Sequence, residues 1–297
     1  MTAEARSVSR AAHAKLNVFL RVLSARDDGY HELESLVLPV SLADDVVATE
    51  AATLDVVTDA EVPLADAVDG GGMNLALVAA LALAEACAGP GRGAAIRIVK
   101  RIPVAAGLGG GSADAAATLL ALNELWACGL GRDALMAVGE RVGSDVPAML
   151  AGEAVMIRGR GERVTPVHAL TTWWVVRPFP FPTRSPDAYR WWDEDGAATG
   201  PDPGALVAAL ETGNVELAGA ALFNDLEEPV VRRHPEIGHV KQALLDAGAL
   251  GAVMSGSGPT VVALARHLGH ADALAAAVPG SFVVSGPPAV SGSSGVA

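Results

Sequence analysis

The chain has 297 residues, enough for one large domain or two ordinary ones, and 51% of them are hydrophobic, so a sizeable core can be buried. Aromatics contribute only 4%, which leaves that core to Ala, Val and Leu. Lys and Arg number 21 against 34 Asp and Glu, a net charge of -13, and this acidity argues against duplex nucleic acid and anionic membranes as main partners.

In chain order, residues 14–23 alternate loosely around Val18, Phe19 and Val22, which predicts a strand. Asp27-Asp28-Gly29 is a turn signal. Residues 31–40 read as a second strand and 45–57 as one or two more. An Ala/Leu-rich helix is predicted over 74–88, stopped by Gly89-Pro90-Gly91. A strand over 94–102 leads into a glycine-rich loop over 103–111, and helices follow over 112–126 and 132–142. Ser144-Asp145-Val146-Pro147 has the form of a helix start, with proline in the first turn. Residues 153–167 read as a hairpin around Gly159-Arg160-Gly161. After a strand over 173–176, the prolines at 178, 180, 182 and 186 punctuate a loop. Helices are predicted over 204–212, 215–223, 235–247 and 270–277. A strand–turn–strand pattern covers 251–264, and a last strand covers 281–285. The tail from Gly286 has the composition of a disordered segment. Strands and helices mix without regular alternation, so an α+β fold of two domains is expected, divided near 165–172.

Cys87 and Cys128 fall in helical segments and read as buried free thiols, compatible with a reducing compartment. No apolar leader is visible, and the most apolar run, 75–84, is shorter than the about 20 residues of a membrane span. A soluble, cytoplasmic protein is expected.

The densest motif is Pro103-Val104-Ala105-Ala106-Gly107-Leu108-Gly109-Gly110-Gly111-Ser112-Ala113, between a predicted strand and a predicted helix. Glycine permits close backbone approach to a ligand. The helix that follows turns unpaired N–H groups and its positive dipole end toward whatever the loop encloses, which suits phosphate. The Walker pattern fails, because no lysine precedes Ser112. The dinucleotide pattern fails as well, because Ser112 stands at its last glycine.

This loop resembles the phosphate-binding motif of the GHMP kinases. Two further motifs resemble those of the same family, Ala14-Lys15-Leu16-Asn17-Val18-Phe19-Leu20 and Ser255-Gly256-Ser257-Gly258-Pro259-Thr260, and the resemblance covers almost the whole chain. It implies a two-domain α+β fold. Residues 8–168 would form a ribosomal-protein-like domain with a left-handed βαβ crossover. Residues 169–286 would form a ferredoxin-like domain, and 287–297 a disordered tail. It also implies ATP and Mg2+, with residues 103–113 around the ATP phosphates and Mg2+ bound through phosphate oxygens and Ser112. Asn74 falls where the family has an ATP contact, although Met73 and Val78 beside it depart from the family pattern. Lys100, three residues before the loop, is within reach of a phosphate or the adenine.

Arg26-Asp27-Asp28-Gly29-Tyr30-His31-Glu32 and Gly143-Ser144-Asp145-Val146-Pro147 are similar to those members whose substrate is a cytidine diphosphate-linked methylerythritol, phosphorylated at its 2-hydroxyl in non-mevalonate isoprenoid synthesis. Phosphoryl transfer to an alcohol needs a carboxylate to orient or deprotonate it, and a cation to spread developing charge. Asp145 and Lys15 are the candidates for that catalytic pair. Tyr30, His31 and Tyr189 would meet the cytosine by stacking and hydrogen bonding, with Asn17 and Ser185 as further substrate contacts. Gly256, Ser257 and Gly258 would form a tight turn beside the phosphates. Of the only three lysines, Lys241 reads as a solvated helix residue. Another small-alcohol or phosphomonoester kinase of the family remains an alternative, as does a nucleotide-binding protein without catalysis. No nucleic acid or membrane partner is expected, and monomer and homodimer are both open.

Overall fold

A computed structural model describes residues 5–61, 74–87, 92–196 and 199–288. Strand β1 (Ser7–Ala25) turns at Asp27-Asp28-Gly29 into β2 (His31–Ala51), and the two pair antiparallel along most of their length. The turn is closed locally, since the Asp28 carboxylate accepts from Tyr30 N at 3.1 Å. β2 is one long strand, where the sequence suggested two or three segments. Strand β3 (Leu54–Ala60), helix α1 (Leu75–Ala86) and β4 (Gly93–Lys100) form a βαβ unit, with β3 and β4 adjacent and parallel. Helices α2 (Gly110–Leu125), α3 (Arg132–Val142) and α4 (Val146–Ala151) follow, then the hairpin β5 (Val155–Gly159) and β6 (Arg163–Pro166). β4 pairs with the 45–51 half of β2, and β5 pairs with the 33–37 half.

The second half holds β7 (Thr172–Arg177), α5 (Ser185–Asp195), α6 (Gly204–Thr212), α7 (Val215–Ala220), β8 (Phe223–Asn224) and α8 (Glu227–Arg233). It closes with α9 (Pro235–Asp246), β9 (Gly251–Met254), β10 (Val261–Ala265), α10 (Leu268–Ala277) and β11 (Phe282–Gly286). Its sheet runs β11-β7-β10-β9, antiparallel throughout. The short β8 crosses over and pairs parallel with β1, in the first sheet. One apolar cluster spans both halves, from Leu16 and Ile98 to Trp174 and Leu210. It is rich in Ala, Val and Leu, as the composition requires.

Other predicted elements change besides β2. α2 begins at Gly110, two residues earlier than predicted, because the glycines continue into the first helical turn. The helix predicted over 215–223 is shorter, ending at Ala220, and its last predicted residue, Phe223, opens β8. The proline-punctuated loop ends in α5, where Pro186 lies in the first turn and starts the helix rather than breaking it. The Gly89-Pro90-Gly91 stop, Met73 and the tail beyond residue 288 lie outside the described residues.

The expectation of free thiols is corrected: Cys87 and Cys128 form a disulfide. Cys87 caps the C-terminus of α1, and Cys128 follows the C-terminus of α2. These helices pack side by side and bring the two Cα atoms to 5.4 Å, within bonding range. The inference of a reducing compartment rested on free thiols and loses that support. Among the described residues, no helix is long and apolar enough to cross a membrane.

Candidate active site

Three chain segments meet at one point: the middle of β1, the loop that opens α2, and the turn between β9 and β10. Lys15 N donates to Leu108 O at 3.0 Å, and Thr260 Oγ1 donates to Ala106 O at 2.6 Å. Asn17 N donates to Ser255 Oγ at 2.9 Å, while Asn224 Nδ2 donates to Met254 O and Gly256 O at 2.6 and 2.7 Å. Two glycines are required by contact as well as by backbone. At Gly107 (φ 76°) a Cβ would stand 2.6 Å from Gly258 O. At Gly109 (φ 72°) it would stand 2.6 Å from Met149 Cε and 2.9 Å from Lys15 Cγ. The first bond of α2 runs from Ala113 N to Gly109 O at 2.9 Å, so the N–H groups of Gly110, Gly111 and Ser112 have no intrahelical partner. Gly109 caps the helix with no side-chain bond, and no acidic residue stands in the first turn. An anion at this end would meet bare N–H donors and the positive end of a 16-residue helix.

Lys15 and Asn17 are two residues apart on β1 and therefore share a face. Both are buried in an otherwise apolar run. The Lys15 ammonium donates to Asn17 Oδ1, and Asn17 Nδ2 donates to Ser35 Oγ at 2.8 Å. Asp145 sits at the N-cap of α4, yet its side chain makes no capping bond. Its carboxylate lies 3.6 Å from Lys15 Nζ instead. The helix start thus aims Asp145 at the lysine, which weighs against a purely capping role.

Both charges border an open cleft of about 640 Å³. Every residue expected to contact substrate lines it: Asn17, Tyr30, His31, Ser185 and Tyr189. Ser112, Gly256 and Ser257 line it too, and Ser185 Oγ is 2.9 Å from Ser257 Oγ. The His31 ring stacks on Tyr189 (centroids 4.9 Å, planes 20° apart) and meets Trp192 edge-on at 5.9 Å. Tyr30, 54% exposed, stands at the mouth beneath the Arg160 guanidinium, 5.1 Å from its ring centroid. Burial, and then the charge of Asp145, raise the pKa of the Tyr189 phenol above its usual value.

Lys100 is not in the cleft. It is buried beneath the start of α2, where its ammonium bonds Asp44 and also Asp114 at 2.6 Å. Asp44 further accepts from Arg101 N and Ile102 N at 2.5 and 2.8 Å. Burial pushes the Asp114 carboxyl up to about 7 against the pull of Lys100, and the neighbouring Asp44 adds to the rise. Asn74 caps α1 by accepting from Ala76 N at 2.9 Å, close to the glycine-rich loop, since Leu75 Cδ1 lies 3.5 Å from where a Cβ on Gly111 would stand. Lys241, expected in water, is instead paired with Glu227. Sequence reading missed Ser35, Ser144, Arg160, Arg190 and Asp193 of the cleft wall. Arg160 was visible only as part of a glycine turn. Arg190 and Asp193 belong to α5, and once that helix is drawn, Tyr189 and Asp193 fall four apart on one face.

Family models for the "GHMP kinases N terminal domain" and "GHMP kinases C terminal" match residues 74–153 and 206–284. The chain belongs to the GHMP kinases. Among relatives of this GHMP kinase, the 4-diphosphocytidyl-2-C-methyl-D-erythritol kinase of Symbiobacterium thermophilum is 46% identical over 84% of this chain and 88% of its own length. The enzyme of that name from Pelotomaculum thermopropionicum is 41% identical over 91% and 93%. A crystal structure of a 4-(cytidine 5'-diphospho)-2C-methyl-D-erythritol kinase superposes with a TM-score of 0.78 at 35% identity, covering 95% of this chain and all of that one. The mevalonate kinase of L. major, solved with R-mevalonate, superposes with a TM-score of 0.73 at 17% identity over 96% and 97% of the chains, a likeness of fold alone.

Proposed function

We propose that this GHMP kinase transfers the γ-phosphoryl group of ATP to the 2-hydroxyl of 4-diphosphocytidyl-2-C-methyl-D-erythritol. The observation that carries this reading is one cleft that joins a lysine–carboxylate pair and an anion-binding helix end to an aromatic wall. The aromatic wall suits a nucleobase, and the pair suits an alcohol being phosphorylated. The relatives named above carry the same activity in their names.

Asp145 orients the acceptor hydroxyl and takes its proton as the new O–P bond forms and the bond to the departing ADP oxygen breaks. Lys15, 3.6 Å from Asp145, faces the oxygens on which charge develops. Asn17 fixes the ammonium, and Ser35 fixes Asn17. Gly110, Gly111 and Ser112 offer backbone N–H groups to the phosphates, and Ser112 is the hydroxyl beside them for a Mg2+ ion carried on ATP. Tyr30, His31 and Tyr189 hold the cytosine, and Arg160 brings a cation to the mouth, where the diphosphate of the acceptor would pass.

The test is ADP release with four acceptors: the cytidyl compound, homoserine, mevalonate and galactose. Turnover is expected with the first only. A protein that turns over one of the other three, and not the cytidyl compound, overturns the assignment.

A further inference from the structure

We infer that Asp193 is a positioning residue that makes the cleft read cytosine rather than uracil, by fixing the tautomer of His31. The inference rests on the functional reading above and adds the source of its base specificity. His31 Nε2 lies 2.9 Å from Asp193 Oδ1. An ionised carboxylate only accepts hydrogen bonds, so the ring nitrogen facing it carries the proton. In a neutral imidazole the other nitrogen, Nδ1, is then a bare acceptor.

Three contacts hold the ring in this orientation. Tyr189 covers one face, Trp192 meets it edge-on, and Asp193 holds Nε2. The side chain is only 10% exposed. Among the described residues Nδ1 has no hydrogen-bond partner, and it is not among the buried unpaired atoms, so it is open to the cleft that His31 lines. The hydrogen-bonding edge of cytosine has one donor, the exocyclic amino group, beside two acceptors. An acceptor fixed in the wall therefore meets cytosine at that amino group. Uracil places a carbonyl oxygen there, acceptor against acceptor.

Asparagine in place of Asp193 reverses the pattern. Its amide N–H can donate to Nε2, which moves the ring proton to Nδ1 and turns the acceptor into a donor. The donor opposes the cytosine amino group and favours the uracil oxygen. Asp193 lies on α5 with 48% of its side chain exposed, so the fold does not depend on it.

The experiment compares wild type, Asp193→Asn and Asp193→Ala on the cytidine substrate and its uridine counterpart. It is run at saturating ATP and about pH 8, where an ordinary imidazole is neutral. The ratio of kcat/KM for cytidine over uridine should fall at least about tenfold in Asp193→Asn, the scale of one hydrogen bond made or opposed. The change should lie mainly in acceptor KM, with ATP KM unmoved. Asp193→Ala, which leaves both tautomers open, should fall less. Nitrogen-15 spectra of His31 in the full chain should show a bare Nδ1 in wild type and a protonated Nδ1 in Asp193→Asn. A ratio in Asp193→Asn within twofold of wild type, or a protonated Nδ1 in wild type, overturns the inference while leaving the kinase reading intact. A wild type inactive on the cytidyl substrate but active on another alcohol removes the kinase reading first, and this inference with it.

Discussion

Asp145→Asn tests the proposed chemistry most directly, because it keeps the size and capping capacity of the side chain and removes only charge and basicity. At 3.6 Å, the Lys15–Asp145 attraction is about 4–5 kcal/mol at an effective dielectric near 20, before desolvation. That is a ceiling. The Asp145 side chain is 41% exposed, and water at the cleft mouth draws the net value down toward the about 1 kcal/mol of a surface pair. Stability should therefore change by about 1 kcal/mol or less, a few degrees in Tm at most. The rate should change far more, since a positioned base contributes about 10²–10⁴-fold, or about 3–5 kcal/mol. The assay is steady-state ADP release with the cytidyl acceptor, alongside ATP titration and thermal melting. kcat should fall by two to four decades while ATP KM stays within about threefold, because the N–H groups of the phosphate loop are untouched. Lys15→Met should lose a similar factor, and the double variant should be little worse than the poorer single one, since the two groups act as a unit. Retention of more than a tenth of kcat, or a rise in ATP KM matching the fall in kcat, would refute the assignment of Asp145.

Gly109→Ala should lower both Tm and kcat, because it strains a left-handed backbone by about 1–2 kcal/mol and drives a methyl group into Lys15. Gly111→Ala, whose Cβ meets nothing nearer than Leu75 Cδ1 at 3.5 Å, is the control, and equal losses in the two variants would contradict the packing reason. Thr260→Val removes the bond to Ala106 O that ties the two glycine turns together, and denaturant unfolding should show a loss of about 1–3 kcal/mol; an unchanged midpoint would count against it. Asp114 has its carboxyl raised from 3.8 to about 7, so between those values the folded state holds a proton that the unfolded chain has released. Stability should then fall as pH rises through that window, and Asp114→Asn should flatten the slope; an unaltered slope would place the shift elsewhere.

Much of the site was legible because polar residues in the wrong company are informative. Lys15 and Asn17 interrupt an apolar run that only a central strand would need, and β1 proves buried on both sides of them. Two of the glycines of 107–111 stand where a side chain has no room, Gly107 against the backbone of Gly258 and Gly109 against the side chains of Met149 and Lys15. What stayed hidden was set by tertiary distance. The disulfide joins residues 41 apart whose meeting depends on how α1 packs on α2. Lys100 is three residues from the phosphate loop in sequence, yet its partners Asp44 and Asp114 are 56 and 14 residues away and draw the ammonium beneath the loop. The prolines before α5 read as one loop, because a proline that starts a helix and one that prevents it look alike until the next turn is placed. With α5 unread, Tyr189 had no neighbours, and Asp193 could not be set beside His31.

The three lysines show where so acidic a chain places its ammonium groups. None is a free surface charge. Lys15 faces the cleft. Lys100 joins β2 and α2 directly under the helix end that would meet the phosphates. Lys241 pairs with Glu227, whose other oxygen accepts from Met254 N at 2.6 Å, at the end of β9 that leads into the Ser255 turn. An ammonium is a compact charge with three donors, suited to joining two elements at one point, whereas the arginines form most of the outer ion pairs. The three lysines are thus held behind and beside the glycine turns by carboxylate partners, and the contact itself would be left to backbone N–H groups that carry no net charge. A net charge of -13 acts over solvent and is screened within about 10 Å at moderate salt, while N–H groups act at hydrogen-bond distance. An acidic surface is therefore compatible with the phosphate binding proposed for the interior, because the two fields act at different ranges.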